Sequence, residues 1–366
     1  MVAPLVYPNR YVLGAAAAAS ASPVGSGGTS AAQIMPSKLD RCSVVNAYEF
    51  VNPSTRVLGD LAFDPVSMAV GGDYIVVGGQ RAELAVGRLS EPGSATVVRL
   101  GGSINNFVAL DRQPANVYRR RLRDSAAFVE DGVTNLNITG DNNVPRLLVC
   151  NNDHTVRLLE LPTLDLLTEL RFPTAVNYAS VSPDGTKMCV VGDSNQVFLF
   201  HKRNDTFEKM ATLVASNDAS FSCDWSQSSE QFAVGSQDGY VTVWDIRSQN
   251  KMVQLETFQH GRSRGACRNV KFSPSSSIDL LAFSEHTGYV NIVDTREFAH
   301  RQVLCVTGEP QWESGFTDNA IVQDLQITGL RFSADSEALF VGLEQSILEY
   351  SVDRIARYSF ASSAII

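Results

Sequence analysis

A short hairpin pattern that returns six times constrains this chain more than any other feature of its sequence. Its clearest copy is QFAVGSQDGYVTVWDIR, from Gln231 to Arg247. Apolar Phe232 to Val234 lead into a Ser236-Gln237-Asp238-Gly239 turn, and Tyr240 to Trp244 follow with an Asp-Ile-Arg exit, the composition of two short strands joined tightly. With Val241 as anchor, weaker copies centre on Leu84, Val156, Val197, Val290 and Ile347. Five residues before the anchors stand Gly79, Asn151, Gly192, Ser236, Glu285 and Gly342, most of them small or turn-prone. Where the spacing is regular it is about 40 to 45 residues, the period of a four-stranded propeller blade.

That period predicts an all-β fold: a single closed β-propeller with four antiparallel strands per blade, seven blades favoured and six the alternative. Residues 1–40 read as a flexible low-complexity leader, because the Ala/Ser/Gly tract from Gly14 to Ala32 has too little bulky apolar surface to offset its ordering entropy. Residues 41–366 form the propeller, with insertions at 111–144 and 307–324. The first full repeat is expected to run through Met68 to Val70, Tyr74 to Val77, Leu84 to Leu89 and Ala95 to Leu100. The stretch from Ser43 to Phe50 and that from Thr55 to Leu61 are assigned to a composite seventh blade joining the chain ends, with Arg357 to Ile366 as partner, since shared strands remove an open edge. Arg10 to Leu13 would form a strand if the closing blade recruits it. Six blades would result if the N-terminal strands only complete the last visible repeat.

With 366 residues, 44% of them hydrophobic, the chain is ample for one large domain. A net charge of −9 argues against general binding of nucleic-acid backbones, which calls for a basic face. The six cysteines lie singly at 42, 150, 189, 223, 267 and 305, with no paired spacing for zinc. Four fall in apolar strand contexts, so reduced core cysteines and a cytoplasmic or nuclear setting are expected. No run reaches the ~20 apolar residues of a membrane span. YVLGAAAAAS and Ala19-Ser20-Ala21 have a faint outline of a signal peptide, opposed by Pro4, Pro8 and a weak positive region; a disordered leader is the favoured reading.

No nucleophile elbow, metal-binding helix or phosphate loop is present, so no catalytic residue, cofactor or metal is expected. His154 beside Asp153 and His286 beside Glu285 fall in hairpin turns, where solvated side chains are the plain reading. Arg119, Arg120, Arg121 and Arg123 in the first insertion would attract phosphate or an acidic protein tail, or serve nuclear import; the plainer alternative is a solvated loop. Trp312 and Phe316 in the second insertion would either anchor a partner or tuck back onto a blade.

These residues resemble the WD-repeat family. Trp244-Asp245 is similar to its dipeptide at the end of a blade's third strand, and Ser182-Pro183-Asp184-Gly185, Phe272-Ser273-Pro274 and Phe332-Ser333-Ala334-Asp335 resemble the matching exit of the first strand. No Gly-His precedes a first strand, so the buried His-Asp-Ser-Trp network of strong members is not expected around Asp238, Ser236 and Trp244. DLLAFSEHTGYVNIVDTR, from Asp279 to Arg296, resembles a signature of an uncharacterised group of fungal WD-repeat proteins. The likeness implies a non-enzymatic scaffold that binds other proteins as a monomeric propeller within a complex, without membrane. Trp244-Asp245-Ile246-Arg247 and Val293-Asp294-Thr295-Arg296 also resemble tandem W-D-x-R boxes of cullin-4 ubiquitin-ligase substrate receptors. By that likeness Arg247 and Arg296 would contact the ligase adaptor; the alternative is that Asp-x-Arg serves the strand exit structurally.

Overall fold

The structure, a computed structural model, describes residues 6–13, 44–49, 54–91, 93–111, 145–203, 206–260, 263–306, 325–343 and 346–353. Strands are joined by turns throughout, with no helix among the described residues. Six four-stranded sheets form, each antiparallel and each built from consecutive strands apart from the last. Their first strands are Pro65–Gly71, Asn105–Asp111, Val176–Val181, Ser220–Trp225, Cys267–Phe272 and Ile327–Phe332, which open blades one to six. Successive first strands lie side by side, so they are the inner strands around a central axis.

Burial follows from position in the blade. The second and third strands carry apolar runs because neighbouring blades cover both faces, as in FAVGS of Gln231–Ser236 and YVTVW of Tyr240–Asp245. Fourth strands such as Asn250–Glu256 are largely exposed and alternate. In four blades the turn between second and third strands places a left-handed residue two positions before the anchor. It is Gly239 (φ 80°) in blade four, Gly288 (75°) in blade five, and the costlier Ala82 (64°) and His154 (70°) in blades one and two. At Gly239 a Cβ would also stand 2.6 Å from Thr257 Oγ1, so glycine is required there twice over.

Apolar clusters join each blade to the next. Val76, Leu84 and Val86 meet Leu147 and Val149 between blades one and two; Cys150 and Phe172 meet Met188 and Phe198 between two and three. Val191 and Leu199 meet Phe232 and Trp244 between three and four; Val241 and Val243 meet Phe283 and Val293 between four and five; Ile292 and Leu304 meet Leu339 and Val341 between five and six. No such cluster joins blade six to blade one among the described residues. Instead the free face of blade one holds Ile75, Val77 and Ala85 beneath Leu61 and Phe63, and exposes Val66, Met68 and Val70.

The favoured count of seven blades is therefore corrected to six among the described residues. Strand Val6–Leu13 supplies the reason: it pairs antiparallel with Ser346–Val352 and becomes the fourth strand of the last visible blade, instead of starting a composite one. Val44–Glu49 and Ser54–Asp60, assigned from the sequence to the closing blade, form a hairpin with each other that joins no other described sheet. The pairing with Val6–Leu13 joins an N-terminal strand to Ser346–Val352 of blade six, but among the described residues each blade is a separate sheet and no hydrogen bonds close the ring. Arg357 to Ile366, residues 14–43 and nearly all of both insertions lie outside the described residues.

Candidate functional site at the channel mouth and the strand exits

Every inner strand carries an irregularity at the same station of its pairing with the second strand: between Pro65 and Ser67, Asn105 and Phe107, Val176 and Tyr178, Ser220 and Ser222, Cys267 and Asn269, and Ile327 and Gly329. A bulge leaves one residue unpaired and re-aims its side chain. The six residues so released are Val66, Asn106, Asn177, Phe221, Arg268 and Thr328. They stand on the side of the second-to-third-strand turns, since Ser220 pairs with Ser236.

Four of them, Asn106, Asn177, Phe221 and Arg268, make a collar that laces blades two to five. Asn106 Nδ2 donates to the Val176 carbonyl at 2.9 Å and to Asn177 Oδ1 at 3.3 Å. Asn177 Nδ2 donates in turn to the Ser220 carbonyl of blade four at 3.1 Å and to Asp193 Oδ1 at 2.8 Å. Arg268 of blade five lies over the Phe221 ring of blade four, 3.9 Å from its centroid.

Beyond the collar, side chains meet across the axis. Lys271 Nζ of blade five donates to Tyr178 Oη of blade three at 2.6 Å and faces Asp224 Oδ1 of blade four at 3.6 Å. Tyr178 stacks on Phe107 of blade two, and Asp224 Oδ2 accepts the Phe272 amide at 2.8 Å. Burial pushes the Asp224 carboxyl above its ordinary range, only partly offset by Lys271. Burial works against the Lys271 ammonium too, but Asp224 and Tyr178 outweigh it and hold its pKa above the usual lysine value. The cluster is thus a charge pair set in the channel wall, with the buried Cys223 thiol close enough to act on both Lys271 and Tyr178.

At the opposite end, Asp245 and Arg247 form a compact turn in blade four. Arg247 Nη2 lies 2.5 Å from Asp245 Oδ2, and Nη1 lies 3.2 Å from Glu230. Asp294 and Arg296 repeat it in blade five at 2.8 Å. Hydrogen bonds from Arg247 hold Asp245 down to about 2. Both arginines sit at matching strand exits of adjacent blades, each gripped by its own aspartate; Arg247 is the more exposed, at 62% against 36%.

His154 and His286 are exposed turn residues. Arg119, Arg120, Arg121, Arg123, Trp312 and Phe316 lie outside the described residues. Cys150, Cys189, Cys223 and Cys267 are buried free thiols within blades, while Cys305 is exposed. Trp244 is buried against Phe232, ring on ring at 5.0 Å, and Ser236 Oγ faces Ser220 Oγ at 3.4 Å rather than a histidine. The collar and the cross-channel cluster escaped sequence reasoning. The one available signal was charged residues within inner strands, Arg268 and Lys271 in CRNVKF and Asp224 in SFSCDW.

Comparison with known proteins gives two family matches. Residues 207–245 match the model described as WD domain, G-beta repeat, and residues 265–305 match an Uncharacterised protein domain (DUF2415). The chain is 29% identical over 306 residues to Uncharacterized protein C4G3.03 of Schizosaccharomyces pombe, covering 82% of this chain and 78% of that protein. It is 27% identical over 206 residues to Uncharacterized protein YLR149C of Saccharomyces cerevisiae, covering 46% of this chain but 28% of that protein. Over 145 residues, 37% of this chain, it is 23% identical to Eukaryotic translation initiation factor 3 subunit I of Pyricularia oryzae, 42% of which is covered.

Proposed function

We infer, for a chain that belongs to the WD-repeat β-propeller family and has fungal relatives, that it binds other proteins by holding a partner segment over its channel mouth. Propellers of this family are typically non-enzymatic scaffolds, and one relative is by name a subunit of a larger factor. The observation that carries the reading is the collar: bulge residues of blades two to five, linked from blade to blade and backed by the Lys271–Tyr178 contact. A surface fixed in this way pays little entropy to order itself on binding. Affinity purification with mass spectrometry from native cells tests it, using wild type and an Asn106→Arg/Asn177→Arg variant that crowds the mouth. The reading expects partners with wild type and their loss with the variant; identical partners in both would defeat it.

A second reading has its own support in the twin Asp-x-Arg turns of blades four and five. Two arginines held alike on neighbouring blades would suit a ligase adaptor surface. Co-purification of the adaptor with wild type but not with Arg247→Ala/Arg296→Ala would favour it, and unchanged recovery would remove it.

A further inference from the structure

We propose that Arg268, stacked on Phe221 in the collar, receives a carboxylate side chain of the bound polypeptide, so that the mouth selects segments carrying an aspartate or glutamate. The inference rests on the scaffold reading and adds the chemistry of the partner.

Arg268 differs from the other half-buried arginines of the described residues. Arg157 holds Asp153 at 2.8 Å and Glu169 at 3.0 Å. Arg264 holds Glu256 at 2.9 Å and the Tyr240 hydroxyl at 2.5 Å, and Arg301 bonds Asn291 at 3.1 Å. Arg146 also has a partner. Arg268 has no oxygen acceptor among the described residues, and its Nε is shielded from solvent without a hydrogen bond. Arg157 and Arg264 each leave one nitrogen unmet as well, but a carboxylate already answers their charge. Burial pulls the Arg268 pKa down with no acid opposing it.

A half-buried cation without a counter-charge costs stability unless something outside the chain compensates it. The guanidinium carbon lies over the Phe221 ring, 3.9 Å from its centroid, where a cation is favoured by the ring face, and the planar fork of an arginine matches a carboxylate. One guanidinium, with no second cation in the collar and a net charge of −9 on the chain, suits a single carboxylate better than a phosphate dianion.

The test is selection of random dodecapeptides on wild type and on Arg268→Met, which keeps an aliphatic stem on Phe221 but loses the charge. Wild type should recover peptides with Asp or Glu at one fixed position. Changing that acid to its amide, or Arg268 to Met, should weaken binding tenfold or more, about 1.4 kcal/mol. Arg268→Met should melt no lower than wild type, as expected for a residue kept for a ligand. Peptides without acidic enrichment, or bound equally by Arg268→Met, overturn the proposal and leave the scaffold reading standing. A melting temperature several degrees lower assigns Arg268 a structural role and also overturns it. Recovery of no peptide on wild type removes both readings.

Discussion

Lys271 in blade five hydrogen-bonds the Tyr178 hydroxyl in blade three, with blade four between them in the chain. Such a contact requires inner strands arranged around a common axis, with their side chains meeting in front of the intervening blade. It converts a sequence period into a channel with a defined wall, and Asp224 supplies the counter-charge.

Replacing Lys271 with Met should destabilise the protein at pH 7 by about 1–3 kcal/mol, less than for a fully buried pair because both partners retain solvent contact. Burial already raises the Asp224 pKa. A carboxyl raised above its unfolded value, about 3.9, contributes stability below that value and loses it as pH climbs through the folded pKa. Without Lys271 the ionised carboxylate is worse placed, so the deficit should shrink as pH falls from 7 toward the unfolded carboxyl value. Adding Asp224→Asn should recover most of it; urea denaturation at the two ends of that pH range checks both statements.

Asp245 should titrate near 2 in wild type, because Arg247 bonds its ionised form. A depressed carboxylate contributes stability above its unfolded value near 3.9 and loses it as pH falls through the folded one. In Arg247→Ala the Asp245 carbon resonance should titrate close to 3.9, while the neutral-pH melting temperature changes little, as for exposed ion pairs generally. NMR titration of the carboxyl distinguishes the two.

Trp244 is 1% exposed and packed on Phe232 between blades three and four. Trp244→Ala should cost about 3–5 kcal/mol by emptying that volume. Chemical denaturation should show an unchanged unfolding slope and a lower midpoint. A loss below about 1 kcal/mol would contradict the packing.

Deleting residues 1–13 removes the outer strand of blade six and bares the edge of Ser346–Val352. A bare edge is a template for pairing between molecules. Light scattering should show concentration-dependent association of the deleted protein and not of the full chain.

The hairpins were legible because second and third strands are covered on both faces, so their apolar runs and turn residues stand out even in the weak copies around Leu84 and Ile347. Blade number was not. It depends on where Val6–Leu13 pairs, and its partner, Ser346–Val352, is at the far end of the chain. Pro8, which on sequence grounds counted against a signal peptide, is tolerated in that strand because an outer strand need not donate every amide. The collar was invisible for another reason: Asn106, Asn177, Phe221 and Arg268 share no residue type, only a station in the pairing register. The twin Asp-x-Arg turns were the opposite case, local in sequence and local in structure.

Site-specific photo-crosslinking in native cells tests the central claim most directly, with a benzophenone side chain placed at Asn177 in the collar, at Arg247 on the opposite face, or at Met252 on an outer strand. Crosslinks to one polypeptide partner from position 177, absent from 247 and 252, are the predicted result. A partner captured from the outer strand or the opposite face, with none from position 177, would contradict it.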